Sequence, residues 1–270
     1  MQDVAQLVRV LVCGAGGRGF EPHLPAKSLV EQTRLFLCYL HYMTLQSFIT
    51  IKYRNITFAV IILMYLAGTV GLLFPFSQPY FKLASAFNLW VSLILLLFFH
   101  QDFNKSFIFT AVFILLSGFT LEVAGVHTGV IFGKYYYGQT LGTKFFDVPL
   151  VIGANWLLLV YCSAISVQSI FLRTKTKSFF TSIFVQSLTS AGLMVLLDLL
   201  IEPVAIRLDF WHWQNEQIPT QNFQAWFLVA FILNYLFLNA KFLKTNPLAT
   251  LLLFLQFFFF ISLHIFPHFF

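Results

Sequence analysis

Three carboxyl groups lie inside long apolar segments of this 270-residue chain. Glu122 lies in "SGFTLEVAGVHTG", and Asp198 and Glu202 lie in "LMVLLDLLIEPVAIR". A charged side chain is costly inside an apolar membrane segment, so such a residue is by default a candidate for function. Asp198 and Glu202 are four residues apart, which places both on one face of a helix. Two carboxyl groups so close cannot both ionise easily at low dielectric, so we expect one to keep a proton, as a general acid must.

Glycine residues share the helix face of Glu122. Gly118 stands four residues before it, and Gly125 and Gly129 stand three and seven residues after it. Such a stripe admits a second helix, as in close helix packing, or a flat ligand beside the carboxyl group. The sequence leaves both interpretations open.

Asp198 and Glu202 also have a structural alternative to catalysis. Arg207 lies nine residues after Asp198 and five after Glu202, which is not their face of an unbroken helix. Pro203 removes a helical hydrogen bond and can distort the helix, so an ion pair with Arg207 competes with an acid site. We favour the acid site.

Aromatic and amide side chains form a second group of candidates. Asn155 and Trp156 lie in the fourth apolar segment, where an amide can orient a water molecule or bond to another helix. The loops "KYYYG" and "DFWHWQNEQIPTQNFQAWF" are rich in aromatic residues, as is typical of a membrane interface. Asp147, shortly before Pro149, is predicted to be a helix N-cap. The predicted substrate-binding residues are Asn155, Trp156, Tyr135, Trp211, His212 and Trp213.

The composition indicates an integral membrane protein. Hydrophobic residues make up 59% of the chain, charged residues only 10%, and the mean hydropathy is +0.82, whereas a soluble domain has about 25% charged residues. A helix needs about 20 mostly apolar residues to cross the hydrocarbon core. The sequence therefore predicts an all-α bundle of about seven transmembrane helices. The predicted spans are 58–74, 83–99, 107–126, 148–172, 179–206, 223–242 and 247–266.

Basic residues in the connections predict the orientation. Eight Lys and Arg residues fall on one side and four on the other, so the positive-inside rule predicts a cytoplasmic N-terminus and an external C-terminus in the cell's inner membrane. The net charge of +6 is spread singly between spans, which argues against nucleic acid as a partner. All three carboxyl groups and both aromatic loops are expected at the same side of the membrane, a convergence that unrelated structural roles do not predict.

The first 42 residues differ in composition from the rest, and the membrane domain is predicted to be residues 43–270. They contain the spacing Gly-x-Gly-x-x-Gly of a dinucleotide-binding turn. Pro22 and Pro25 follow closely and prevent the helix that such a turn requires, so no cofactor is predicted. The stretch "CGAGGRGFEP" resembles a translated transfer-RNA gene, which favours a start near Met43; a disordered basic tail is the alternative.

Two long motifs resemble a known family. They are "EVAGVHTGVIFGKYYYGQTLGTKFFDVPLVIGANWLLLVY" and "DLLIEPVAIRLDFWHWQNEQIPTQNFQAWF". Both resemble the membrane-bound CruF-type carotenoid biosynthesis proteins, over about residues 58–266. The resemblance implies a carotenoid hydratase acting on an acyclic end group, such as that of γ-carotene, lycopene or the precursor of bacterioruberin. The resemblance also implies that the protein contacts the lipid bilayer and other carotenoid enzymes.

Hydration of a trisubstituted double bond is acid chemistry and needs neither a cofactor nor a metal. A carboxylic acid protonates the less substituted carbon, a tertiary carbocation forms, and water adds to give a tertiary alcohol. We predict that Glu122, Asp198 and Glu202 are catalytic, and that aromatic faces stabilise the cation. The polyene is expected to lie between helices. The competing class is a non-enzymatic transporter or lipid-binding protein, for which helices interrupted at Pro149, Gly153 or Pro203 would be a sign.

Overall fold

The apolar segments fold into long α-helices, as the sequence predicts. The computed structural model describes residues 53–172, 182–214 and 216–266, which contain seven such helices. Each is long and apolar enough to cross a membrane, so the chain is a multi-pass membrane protein. The helices are α1 Tyr53–Leu73, α2 Gln78–Phe98, α3 Lys105–Thr128, α4 Val151–Phe171, α5 Ile183–Arg207, α6 Thr220–Asn239 and α7 Pro247–Ile265.

Capping residues set helix starts that hydropathy alone does not locate. The Asn104 side chain accepts a hydrogen bond from the Phe107 N–H at 2.9 Å and so begins α3. Helix α2 begins at Gln78 rather than at residue 83, because Pro79 occupies its first turn. That first turn is partly polar, so the apolar pattern begins later than the helix does.

Four short strands lie at one end of the bundle, which we call the strand end. The strands are β1 Tyr135–Tyr137, β2 Lys144–Phe145, β3 Val148–Pro149 and β4 Trp211–Trp213. β1 and β4 pair antiparallel, with Tyr135 opposite Trp213 and Tyr137 opposite Trp211. Because β1 follows α3 and β4 follows α5, this ladder ties together the two connections that come after the carboxyl-bearing helices.

Helix α4 is the centre of the bundle. Its most apolar stretch is 89% buried, and α2, α3, α5, α6 and α7 all pack against it. A helix that is apolar all round belongs in such an interior position. It begins at the strand end, so Asn155 and Trp156 lie within its first two turns, close to the β1–β4 ladder.

Asp147 does not cap α4, and the prediction that it does is wrong. Strands β2 and β3 pair as a hairpin, and their connection is the two-residue turn formed by Phe146 and Asp147. Both turn residues have positive φ, 48° and 62°, as type I′ hairpin turns require. Helix α4 begins only at Val151, because Pro149 is still paired in β3.

Helices α4 and α5 continue without a break through Gly153 and Pro203, where the sequence allowed an interruption. Pro203 lies inside α5, which continues to Arg207, and Gly153 lies inside α4. Arg207 donates hydrogen bonds to the backbone carbonyls of Pro203 and Leu263, each at 3.2 Å. These two helices therefore lack the interruptions that would have favoured a transporter.

The described residues from 55 to 266 belong to one compact unit. The predictions about residues 1–42 lie outside the described part of the chain. The same holds for the basic residues at positions 52, 173, 175 and 177 that entered the orientation count.

Candidate active site

The three carboxyl groups open into one cavity at the strand end. Its empty volume is about 440 Å³. Glu122 reaches it from α3, and Asp198 and Glu202 reach it from α5; their exposures are 4%, 0% and 2%. The lining residues are Glu122, Phe132, Tyr135, Tyr137, Ile152, Asn155, Trp156, Asp198, Ile201, Glu202, Trp211, Trp213, Asn222 and Trp226. The sequence-based expectation that these carboxyl groups converge agrees with this placement.

Three aromatic side chains donate hydrogen bonds to Glu122. The hydroxyl groups of Tyr135 and Tyr137 donate to Oε2 at 2.6 and 2.8 Å. The indole Nε1 of Trp156 donates to Oε1 at 3.0 Å. Both oxygens of Glu122 therefore accept hydrogen bonds from groups that the protein holds in place, which is the environment of a carboxylate.

Gly118 and Gly125 make this arrangement sterically possible. A Cβ at Gly118 would lie 2.4 Å from the Trp156 ring, and a Cβ at Gly125 would lie 2.6 Å from Phe132 and 3.0 Å from the Tyr135 hydroxyl. The glycine stripe thus admits the protein's own aromatic side chains beside Glu122. The space that a flat ligand would need there is already filled.

Glu202 also accepts three hydrogen bonds. The indole groups of Trp211 and Trp213 donate to Oε2 at 3.0 and 2.8 Å, and the Asn222 amide donates to Oε1 at 3.0 Å. The second hydrogen of the same amide is donated to Asp198 Oδ2, also at 3.0 Å. Asn222 therefore bridges the two carboxyl groups of α5 and uses both of its donors to do so.

Asp198 Oδ1 differs from the other carboxyl oxygens of the cavity. It is buried and has no hydrogen-bond partner among the described residues, whereas the other five oxygens each accept at least one N–H or O–H. An unpartnered buried polar atom is rare in folded proteins and calls for an explanation. A proton on Asp198 Oδ1 would explain why no described N–H or O–H group is directed at this oxygen.

The β1–β4 ladder decides which aromatic residues face the cavity. Side chains alternate along a strand, so the pairs Tyr135–Trp213 and Tyr137–Trp211 lie on the cavity face. His212 lies on the other face, 5.4 Å from the Tyr136 ring, and its Nε2 is 2.7 Å from Asp209 Oδ1. The structure therefore does not bring His212 to the cavity, unlike the other five residues predicted to bind substrate.

The two tyrosines on the cavity face stay protonated. Burial, followed by the neighbouring Glu122 carboxylate, raises the pKa of Tyr135 and of Tyr137 above the usual value. In this state each hydroxyl keeps the hydrogen that it donates to Glu122 Oε2, and these hydrogen bonds stabilise the charged form of Glu122.

The remaining wall combines stacked indoles and a free amide. Trp156 stacks on Trp226 with ring centroids 4.3 Å apart and an interplanar angle of 23°. The Asn155 side chain lines the cavity and makes no hydrogen bond to the described part of the chain. It is therefore available to bind a water molecule or a polar group of a ligand.

Six residues that line the cavity were not among the predicted site residues, and three of the six carry hydrogen-bonding groups: Tyr137, Asn222 and Trp226. Tyr137 could have been predicted from the sequence, because "YYY" and "WHW" both place aromatic residues two apart, which is the period of a strand. Asn222 and Trp226 are four residues apart on α6 and so share a helix face. Nothing local in the sequence indicates that this face meets α5.

Comparisons with known proteins agree with the earlier resemblance. Residues 78–268 match the model of a family described as "Carotenoid biosynthesis protein", a range that includes every residue lining the cavity. The chain is 28% identical over 155 residues to the bisanhydrobacterioruberin hydratase of Haloarcula japonica, an alignment that covers 56% of this chain and 50% of the relative. The chain thus spans about half the length of that curated relative. No solved structure matches.

Proposed function

The chain belongs to the carotenoid biosynthesis protein family, and we propose that it is a carotenoid hydratase. It adds water to the terminal double bond of an acyclic end group, as in lycopene or γ-carotene, and gives a tertiary alcohol. The relative from Haloarcula japonica is a hydratase by name, which supports the reaction class. The proposal draws most of its support from the unpartnered oxygen of Asp198 beside two carboxylates that accept hydrogen bonds.

Asp198 is the proton donor in this proposal. Its Oδ2 and the Oε1 of Glu202 are 3.0 Å from the same Asn222 nitrogen, so two negative charges there would repel each other strongly in the buried cavity. One proton relieves the repulsion. Asp198 Oδ1 is the oxygen without a donor pointing at it, so the proton rests there and faces the substrate.

The reaction then has two steps. The π electrons of the double bond take the proton from Asp198 Oδ1, a C–H bond forms at the less substituted carbon, and the neighbouring carbon becomes a tertiary cation. Water adds to that carbon, and its released proton returns to the carboxyl cluster, which restores protonated Asp198. The reaction consumes one water and needs no redox partner.

The cavity wall suits a cationic intermediate. Glu122 and Glu202 supply negative charge held by fixed donors, so little reorganisation is needed when the cation forms. Trp156, Trp211 and Trp213 offer indole rings, and a cation over a desolvated aromatic face gains about 2 kcal/mol. The free amide of Asn155 is the proposed ligand of the attacking water.

Expression in a lycopene-producing host in water enriched in oxygen-18 tests the reaction. We expect 1-hydroxylated product that carries oxygen-18 and is absent from cells with the empty vector. Oxygen taken from molecular oxygen, or carotenoid left unchanged by a protein verified in the membrane, would contradict a hydratase.

The proposed location is the cell's inner membrane with the strand end outside. The excess of basic residues on the opposite side supports this orientation. Single cysteines in place of Lys144, at the strand end, and Lys105, at the other end, allow a test with a membrane-impermeant thiol reagent. We expect labelling at position 144 in intact cells and at position 105 only after permeabilisation; the reverse pattern would invert the topology.

A further inference from the structure

We infer that the substrate's polyene chain lies in an apolar passage that leads from the carboxyl cavity to the lipid through a gap between α1 and α2. The inference rests on the proposed function and adds to it the route and the side chains that select a long, thin chain.

Continuity between cavities is the first observation. A second cavity, with an empty volume of about 610 Å³, shares Ile152, Asn155, Ile201 and Trp211 with the carboxyl cavity. We call these four residues, which border both cavities, the neck. A ligand whose end group lies at the carboxyl groups therefore extends naturally into the second cavity.

A third cavity carries the passage to the outside of the bundle. Its empty volume is about 540 Å³, and it shares Ser85, Asn88 and Phe259 with the second cavity. The three cavities are neighbours in sequence, and together they outline an elongated route from the carboxyl groups to α1 and α2. An elongated space of this kind matches a polyene better than a compact metabolite.

Small side chains hold the gap between α1 and α2 open. Ala67 and Gly68 on α1 and Ala84 and Ser85 on α2 line the third cavity, and Ala67 and Ala84 are exposed. Gly68 lies five residues before the end of α1, about 8 Å at a helical rise of 1.5 Å per residue. The gap thus opens within the membrane-spanning part of the helices, where the surrounding solvent is lipid.

The passage is built for an apolar chain and holds no acid. Its second section is lined by side chains such as Leu89, Leu141, Phe210 and Phe260, and neither the second nor the third cavity has Asp or Glu among its described lining residues. Gln256 Oε1 there is buried without a described partner, but an amide oxygen cannot donate a proton. The double bonds of the chain are therefore protected, and only the end that passes the neck meets Asp198.

One consequence concerns the order of events. While one end group lies at the carboxyl groups, the rest of the chain fills the passage and its far end remains in the lipid. A substrate with two acyclic ends must leave and re-enter before its second end reacts, so singly hydrated product accumulates first.

Closing the gap tests the passage. A Cβ at Gly68 meets only Phe259, at an ordinary 3.6 Å, so a larger side chain there must extend into the third cavity. We expect Gly68→Phe to weaken lycopene binding in lipid nanodiscs about tenfold or more, a loss of about 1.4 kcal/mol. Leu63→Phe, on the exposed face of α1, is the matched control and should bind normally. If Gly68→Phe fails to fold, Ala84→Phe obstructs the same gap from α2.

The outcomes separate the two proposals. Normal binding and hydration of lycopene by Gly68→Phe, or no lycopene binding by the wild type, would overturn the passage. The wild type could instead bind lycopene, lose that binding on Gly68→Phe, and form no hydrated product. That result would support the passage and overturn the hydratase.

Discussion

Two buried polar clusters, one at each end of the bundle, follow opposite rules. At the end away from the strands, Asn246 donates to the Tyr161 hydroxyl at 3.1 Å, and that hydroxyl lies 2.8 Å from His100 Nδ1. The chain of donors ends at His100 Nε2, 2.9 Å from the Asp102 carbonyl. Burial lowers the pKa of His100, so the ring is neutral and each of its nitrogens has one partner. Every donor in this cluster meets an acceptor, and the cluster is closed.

The carboxyl cavity at the strand end is open by contrast. Six of its side chains donate to carboxyl oxygens, whereas Asp198 Oδ1 accepts no hydrogen bond from the described residues. A closed cluster stabilises the fold, whereas an open one keeps a reactive group available at a cost in stability. For a buried polar residue in a membrane bundle, an atom without a hydrogen-bond partner is therefore a better sign of function than the charge of the residue.

The largest effect is expected from Asp198→Asn. This change keeps size and shape but removes the proton that begins the reaction, so hydration should fall about 10²–10⁴-fold, the usual contribution of a general acid. Product formation by purified protein in nanodiscs, with lycopene binding as the control for folding, measures it. Activity within a few-fold of wild type would place the acid elsewhere.

Glu122→Gln should cost less activity but also some stability. The new amide NH₂ faces either the Trp156 indole, where a donor opposes a donor, or the two tyrosine hydroxyls, which must turn their hydrogens away to accept from it; the lost hydrogen bonds cost about 1–3 kcal/mol. Weaker stabilisation of the cation by about 1.4 kcal/mol would slow hydration about tenfold. Thermal unfolding and product formation are both needed here; a variant equal to wild type in both would remove Glu122 from the account.

A smaller difference is expected within β1. Tyr137 donates to Glu122 at 2.8 Å, whereas Tyr136 lies on the opposite face of the strand beside His212. Tyr137→Phe should lower hydration several-fold, because Glu122 Oε2 loses one of its two donors and keeps the Tyr135 hydroxyl. Tyr136→Phe and His212→Ala should leave the rate of product formation unchanged. A loss with His212→Ala would instead restore the role in substrate binding that the sequence suggested.

A mutation in the polar cluster at the end away from the strands should affect stability alone. His100→Ala removes a stacking contact with Phe107 at 3.6 Å and leaves the Asp102 carbonyl without its donor. We expect about 1–3 kcal/mol of lost stability, seen as a lower unfolding temperature, with hydration at permissive temperature unchanged. A selective loss of activity without a change in unfolding would contradict the description of this cluster as structural.

The sequence predicted what depends on local pattern. Apolar stretches of about 20 residues located all seven helices in the described residues, and the alternation of helix direction placed Glu122, Asp198 and Glu202 at one end. The predicted starts were less accurate wherever a cap or a proline sets the first turn, as at Gln78.

What the sequence left undetermined depends on pairing between distant segments. The prediction grouped His212 with Trp211 and Trp213. The pairing of β4 with β1 decides which of these side chains face the cavity, and that register cannot be read from the local sequence. Asn222 was overlooked because its role depends on how α6 packs on α5. The turn at Asp147 was taken for a cap because a hairpin with positive φ at two non-glycine residues is unusual.

Infrared spectroscopy of the carboxyl groups tests the central claim most directly. At neutral pH we predict one C=O stretching band of a protonated carboxylic acid from the cavity, shifted in deuterated water, present in Glu122→Gln and absent in Asp198→Asn. Persistence of that band in Asp198→Asn, or its loss in Glu122→Gln alone, would place the proton on another residue and contradict the proposed mechanism.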